Sequence, residues 1–305
     1  KDHFLYKFKV FGISAGTHQA DLALVMLSSY ILWIYWLWKA SIRSFQMPDS
    51  PLLTKSQSYL AVCCYEIGLL AFTTIPDDAV PLSVLTSKLG WLAMGNVLLF
   101  SVLILTMTPD RQTAQDWSRF RHQLMSSQLV PHAKSLKADL LQGEKRPAIL
   151  AIALNLAIAA IPLLLMSCVP LTSKSLPYGF SSIELQLQHG LMVLLFLTTI
   201  AIAAVLAQLI LMQKSSKRFG FAFVAIGSVF FLFPITFSLF SLGTIEHGGW
   251  LISIFPWQVL AEVTMPEILT ACLFEWLVLG TLLWQLRRQL KLVGQSDSKV
   301  LLDRP

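Results

Sequence analysis

Charged residues are scarce in this chain of 305 residues, because only 13% are Asp, Glu, Lys or Arg. An ordinary soluble domain carries about 25% charged residues. The mean hydropathy is +0.65, and 55% of the residues are hydrophobic, which excludes an ordinary soluble domain. The composition therefore predicts an all-α integral membrane protein that crosses the bilayer several times.

Sequence motifs of several kinds of catalytic and binding site are also missing. The sequence has no G-x-x-x-x-G-K-[ST] phosphate loop, no H-E-x-x-H zinc motif and no G-x-S-x-G nucleophile elbow. Its four cysteines have no C-x-x-C spacing, so they are interpreted as small buried apolar residues. His189 is interpreted as an interfacial hydrogen-bonding histidine, with a haem or metal ligand as the alternative. We expect no cofactor and no catalytic activity in this chain.

The net charge of +6 comes without any nucleic-acid-binding motif. In a membrane protein, basic residues gather on the cytoplasmic side, where they contact anionic lipids. The charge therefore predicts contact with the lipid bilayer, and no nucleic acid is expected as a partner.

Long apolar runs predict about seven transmembrane helices within one domain that comprises residues 1–305. A spanning helix needs about 20 mostly apolar residues. The predicted spans are 22–38, 59–75, 89–107, 148–169, 191–212, 219–242 and 267–286.

Lysine and arginine residues gather in alternate segments of the chain. Most of them follow the first, third, fifth and seventh predicted helices, within residues 39–55, 111–146, 214–218 and 287–304. The other loops and their borders hold only Lys88 and Lys174. The positive-inside rule then predicts that the first set of segments and the C-terminus are cytoplasmic.

The largest predicted cytoplasmic loop is 108–147, which opens with "TPDRQTAQDWSRFRHQ". Trp117, Phe120 and Leu124 recur there at a helical spacing among charged residues, which predicts an interfacial helix. Such a helix is either a connector that rests on lipid or a docking surface for a cytoplasmic subunit. On the opposite side, "GGWLISIFPW" is apolar but too short to span, so we expect a re-entrant outer segment.

Two acidic residues, Glu66 and Glu275, fall near the middle of the second and seventh predicted helices. An ionisable group inside a membrane is costly, and it marks a functional site by default. The alternative is a structural role, in which a protonated Glu hydrogen-bonds a neighbouring helix. Both interpretations are open at this point.

Several stretches together resemble a bacterial family of ATP-binding-cassette (ABC) transporter permeases, distantly of the type-2 exporter kind. The stretches that carry this resemblance are "LWKASIRSFQMPDSPLLTKSQSYL", "TPDRQTAQDWSRFRHQ", "GEKRPAILAIALNLAIA", "SIFPWQVL" and "QLRRQLKLVGQSDSKVLL". Together they cover nearly the whole chain from Leu22 to Leu302.

This resemblance implies a bacterial inner-membrane exporter subunit that acts as a dimer of permeases with a separate ABC-type ATPase. The ATPase would then contact Asp116, Trp117, Arg119 and Arg121. The Glu-x-x-Arg-Gly-Thr segment that the family has near this contact is missing here. We therefore expect that the chain is the C-terminal portion of a longer permease.

Two other functions fit the sequence. A proton-coupled secondary transporter would use Glu66 and Glu275 in its transport pathway. A membrane scaffold that transports nothing would use the cytoplasmic loop to recruit a partner.

Overall fold

The computed structural model describes residues 18–46, 51–73, 81–108, 148–169, 181–213, 215, 217–232 and 263–302. Within these residues all regular structure is helical, which confirms the predicted all-α class for this part of the chain. In chain order the helices are α1 (His18–Gln46), α2 (Lys55–Thr73), α3 (Leu82–Met107), α4 (Ile149–Ser167), α5 (Ser182–Leu211), α6 (Arg218–Gly227) and α7 (Met265–Leu302). A π-helical turn, Ser228–Leu232, follows α6 directly.

Four helices are long and apolar enough to cross a membrane. They are Leu82–Met107 in α3, Ile149–Ser167 in α4, Ile183–Leu211 in α5 and Met265–Leu292 in α7. Several such helices in one chain are compatible with a multi-pass membrane protein. Four of the predicted spans are thus confirmed as helices of the required length and apolar character.

The described parts of the other three predicted spans also lie in helices. Helix α1 has 29 residues, which corresponds to a length of about 43 Å. Helix α2 carries Glu66 and several hydroxyl groups among its 19 residues, which lowers its hydropathy. Helix α6 with its π-helical turn is apolar but short in the described residues. The count of seven spans stays a prediction, as does the re-entrant segment, which lies outside the described residues.

Helices α5 and α7 are longer than the apolar runs that predicted them. Helix α5 begins before Leu191 because Ser181 and Glu184 form a reciprocal capping box. Glu184 N–H donates to Ser181 Oγ at 3.2 Å, and Ser181 N–H donates to Glu184 Oε2 at 2.9 Å. Helix α7 continues past Leu286 to Leu302, since Gln, Lys and Arg have high helix propensity outside an apolar run.

Helices α2 and α3 are antiparallel and approach each other closely. The Leu52 N–H, just before α2, donates to the Thr106 carbonyl near the end of α3 at 3.0 Å. Further along, a Cβ placed on Gly95 would lie 3.0 Å from both methyl groups of Leu69. The missing side chain at Gly95 therefore allows the close contact between the two helices.

Helices α5 and α7 are neighbours that run in the same direction. The Cys272 thiol lies 3.9 Å from the Leu191 carbonyl, and three residues later Glu275 meets Thr199. Two parallel neighbours require the chain between them to return to the end of the bundle where α5 begins. Helix α6, which packs along α5, starts that return.

The centre of the bundle is α5, which packs against α3, α4, α6 and α7. Its core is apolar, and large side chains such as Leu89, Phe100 and Met192 are fully buried in it. The outer faces are apolar as well, because Ile34 on α1 and Phe274 on α7 are more than 60% exposed. Apolar side chains both inside and outside are typical of helices that lie in lipid.

The contact at Gly95 makes a stability prediction. We expect Gly95→Leu to destabilise the protein by about 1–3 kcal/mol, because the new side chain overlaps Leu69 and forces α2 and α3 apart. Gly68→Leu is the matched control, since nothing lies within 4 Å of a Cβ at that position of α2. Thermal unfolding in detergent measures the difference, and equal melting temperatures of the two variants would contradict the close contact.

Candidate functional site: buried polar groups between the helices

Glu66 lies in the middle of α2, on the face that packs towards α3. Its side chain is only 3% exposed. Neither carboxyl oxygen has a hydrogen-bond partner among the described residues. A carboxyl group removed from water without a hydrogen bond is destabilising. Glu66 is therefore a buried acidic group whose oxygens make no direct hydrogen bond to the described residues.

The Asn96 side chain of α3 lies beside the carboxyl group of Glu66. Asn96 is fully buried, and its Nδ2 donates to the Leu92 carbonyl one turn earlier at 3.0 Å. Its Oδ1 has no hydrogen-bond partner in the described part. Because Gly95 is the preceding residue, the close approach of α2 and α3 brings these two polar groups together. The result is a carboxyl group and an amide side chain that lie beside each other within an apolar contact.

A second polar contact joins α2, α3 and α4. Asn155 of α4 and Ser58 of α2 are both fully buried. The Nδ2 group of Asn155 donates to Ser58 Oγ at 3.0 Å and lies 3.6 Å from Met107 Sδ. Ser58 Oγ in turn donates to the Lys55 carbonyl at 2.7 Å. This contact is a structural one, in which the polar groups bind helices to one another.

Glu275 of α7 is less buried than Glu66 and has a hydrogen-bond partner. The Thr199 hydroxyl of α5 donates to Glu275 Oε1 at 3.0 Å. The other oxygen, Oε2, is buried and has no partner in the described part. This geometry fits the interpretation that Glu275 holds α5 and α7 together. The two acidic residues thus belong to different helix contacts, α2–α3 for Glu66 and α5–α7 for Glu275.

His189 is fully buried in the second turn of α5, deeper than an interfacial position would suggest. Its Nδ1 lies 2.7 Å from the Leu185 carbonyl, and its Nε2 has no partner among the described residues. Across the part of the chain that the structure describes, no three His, Cys, Asp or Glu side chains come together as metal ligands. The geometry therefore supplies no ligand set to accompany His189.

The predicted site residues and the buried polar groups of the structure overlap only in part. The predicted ATPase contact at Asp116, Trp117, Arg119 and Arg121 lies outside the described residues. Conversely, sequence reasoning missed Ser58 and Thr199, which are the partners of Asn155 and Glu275. A hydroxyl in an apolar helix commonly donates to the carbonyl four residues earlier, so its sequence position does not reveal a contact with another helix.

No family model, no curated protein and no solved structure matches this chain.

Proposed function

We propose that this chain is a membrane transport subunit and that Glu66 exchanges a proton or a cation during transport. The observation that carries this proposal is the buried Glu66 carboxyl group, which has no hydrogen bond within the described residues. An acidic side chain at the centre of a spanning helix costs about 2.5–3.5 kcal/mol on insertion scales. A group that served only to hold helices together would use a polar atom for that purpose, as Glu275 does with Oε1 and Asn155 with Nδ2.

We propose an ABC-type ATPase as the energy source, so that the chain is the permease of an exporter in a bacterial inner membrane. Two observations from the sequence support this proposal, the resemblance carried by the stretches described above and the basic residues that gather in alternate segments. The parallel arrangement of α5 and α7 agrees with the predicted topology, in which both helices end on the cytoplasmic side. In this scheme ATP is hydrolysed by a separate subunit, and two copies of the permease form the pathway.

Proton-coupled secondary transport is the second function, and the geometry at Glu66 favours it specifically. A carboxyl group beside the Asn96 amide can bind a proton or a small cation between α2 and α3. In this scheme the chain needs no ATPase, and the ion gradient drives the movement of the substrate.

The role of Glu66 predicts an infrared signature. In purified protein, a pH titration followed by infrared difference spectroscopy should show a carbonyl band from a protonated carboxyl in an apolar environment. We expect this band to change with pH in the wild type and to lose the Glu66 contribution in Glu66→Gln, because glutamine carries no exchangeable acid. The buried carboxyl group of Glu275 supplies what is left of the band. Glu184→Gln is the control, since Glu184 is exposed and glutamine can also complete a capping box.

A spectrum in which the band is identical in the wild type and in Glu66→Gln would contradict the exchange of a proton at Glu66. A band that responds to Na⁺ at constant pH, and is lost in the same variant, would assign a cation to the site in place of the proton.

The proposed ABC-type energy source predicts that a second protein is purified together with this chain. Purification of the full-length protein from its native membrane in mild detergent should also recover an ABC-type ATPase in near-equal amount, as mass spectrometry would show. We expect Arg119→Ala and Arg121→Ala to abolish the stimulation of that ATPase by the permease. Arg288→Ala is the control, because it removes the same charge from the exposed side of α7.

Recovery of the protein without any ATPase would contradict the ABC-type scheme and would leave proton coupling at Glu66 as the function. Unchanged stimulation in Arg119→Ala and Arg121→Ala would remove the charged loop from the contact with the ATPase.

A further inference from the structure

An apolar cavity of about 50 Å³ lies between α1, α2 and α3 and follows the direction of the helices. Ala40 lines one end of it, and Leu32, eight residues earlier on α1, lines the other end. Eight residues of a helix correspond to a length of about 12 Å. The cavity is therefore elongated along the helix axis, a shape that suits a hydrocarbon chain more than a compact molecule.

The cavity exists because the backbone of α1 stays at a distance from the other two helices. Helices α2 and α3 approach each other closely, whereas α1 reaches them mainly through large side chains. The rings of Trp33 and Tyr65 meet edge to face at 5.9 Å and join α1 to α2 near the Leu32 end of the cavity. Space left between apolar side chains forfeits van der Waals contacts, so a ligand that fills it stabilises the contact of α1 with the bundle.

The cavity opens between α1 and α3, on the outer surface of the bundle. Leu37 of α1 and Val102 of α3 both line the cavity, and they are 57% and 40% exposed. Because both side chains are apolar, the rim of the opening is apolar as well. Such an opening admits a hydrocarbon chain from the surrounding bilayer without the loss of a hydrogen bond to water.

Trp36 adds an unpaired donor to the lining of the apolar cavity. Its indole Nε1 is buried and has no hydrogen-bond partner within the described residues. A buried indole N–H normally finds an acceptor. Lys39 Nζ lies over the Trp36 ring, 5.8 Å from its centroid, and lysine and tryptophan side chains together are typical of the level of the lipid head groups. The acceptors that a bilayer offers near that level include the ester carbonyls of its lipids.

A smaller cavity, the basic cavity, adjoins the apolar one where α1 ends and α2 begins. Arg43 and Lys55 line the basic cavity, and Leu53 lines both cavities. Arg43 Nε donates to the Pro51 carbonyl at 2.8 Å, and both basic side chains have interaction partners within the protein. Their charges are therefore assigned to the fold and not to a ligand.

We propose that the apolar cavity binds one acyl chain of a diacyl membrane lipid, which is recognised by its chain and by its ester carbonyl. The chain would follow the cavity along α1, and the carbonyl would accept from Trp36 Nε1. Entry of the chain between Leu37 and Val102 widens the cavity, which gives the carbonyl access to the buried N–H. A lipid is favoured over an extended peptide, because a peptide would bring unpaired backbone N–H and C=O groups into an apolar lining. The site does not depend on the transport function proposed above.

The test compares an ester-linked phosphatidylcholine with its ether-linked analogue of the same chain length, because the ether lacks the carbonyl acceptor. Native mass spectrometry of the full chain, purified in mild detergent, measures the binding of each lipid. We expect one bound lipid per chain and about fivefold tighter binding of the ester, since a neutral hydrogen bond contributes about 1 kcal/mol. Equal binding of the two lipids to the wild type would overturn the proposal.

Trp36→Phe removes the indole donor and keeps an aromatic ring at that position. We expect this variant to bind the ester and the ether equally well. Trp38→Phe is the matched control, because Trp38 lies on the same helix but is 61% exposed, and it should keep the preference for the ester. A preference for the ester that persists in Trp36→Phe would overturn the proposal.

Ala40→Phe tests the cavity and leaves the indole donor in place, so the test stays decisive if Trp36→Phe fails to fold. The new ring fills part of the apolar cavity that Ala40 lines. We expect Ala40→Phe to lose the bound lipid at a concentration that saturates the wild type. Ser41→Phe is the control, because Ser41 is exposed and lies outside the lining of the cavity. Equal binding of the ester to these two variants would overturn the proposal.

Discussion

In the interior of a bilayer there is no water to bind the backbone, so each N–H and C=O group must be hydrogen-bonded within the protein. The described residues meet this constraint by forming long helices, and the rest of the structure depends on it. Helix α4 continues through Pro162, which is buried, and α5 is extended by the capping box at Ser181 and Glu184. Once the backbone groups are bonded inside each helix, the side chains alone decide how the helices contact one another.

Those contacts are of two kinds, and the difference is informative about function. Most are apolar, with a few hydrogen bonds that join helices directly, as Asn155 does with Ser58 and Glu275 does with Thr199. Glu66 differs from these groups, because it is buried against α3 beside Asn96 and neither of its oxygens is hydrogen-bonded within the described residues. An unsatisfied acidic group in an apolar contact lowers stability, and this cost is the reason that we propose a role in transport for Glu66.

The two adjoining cavities and Glu66 all lie along α2. The helix begins at Lys55 beside the basic cavity, passes Ala61 at the apolar cavity, and reaches Glu66 one to two turns later. Close packing of Leu69 on Gly95 holds the same face of that helix against α3.

The sequence by itself determined the helical class, the approximate positions of the helices and the presence of acidic residues within them. These follow from composition and from the length of the apolar runs, which are local properties. The tertiary structure alone decided which polar groups meet. Glu66 and Glu275 look equivalent in the sequence, yet only Glu275 has a hydroxyl partner, because α5 brings Thr199 to it. Likewise Arg43, Lys55 and Trp36 are separated along the chain, and only the packing of α1 on α2 and α3 places them around adjoining cavities. Contacts between helices depend on their relative rotation and distance, which apolar periodicity does not specify.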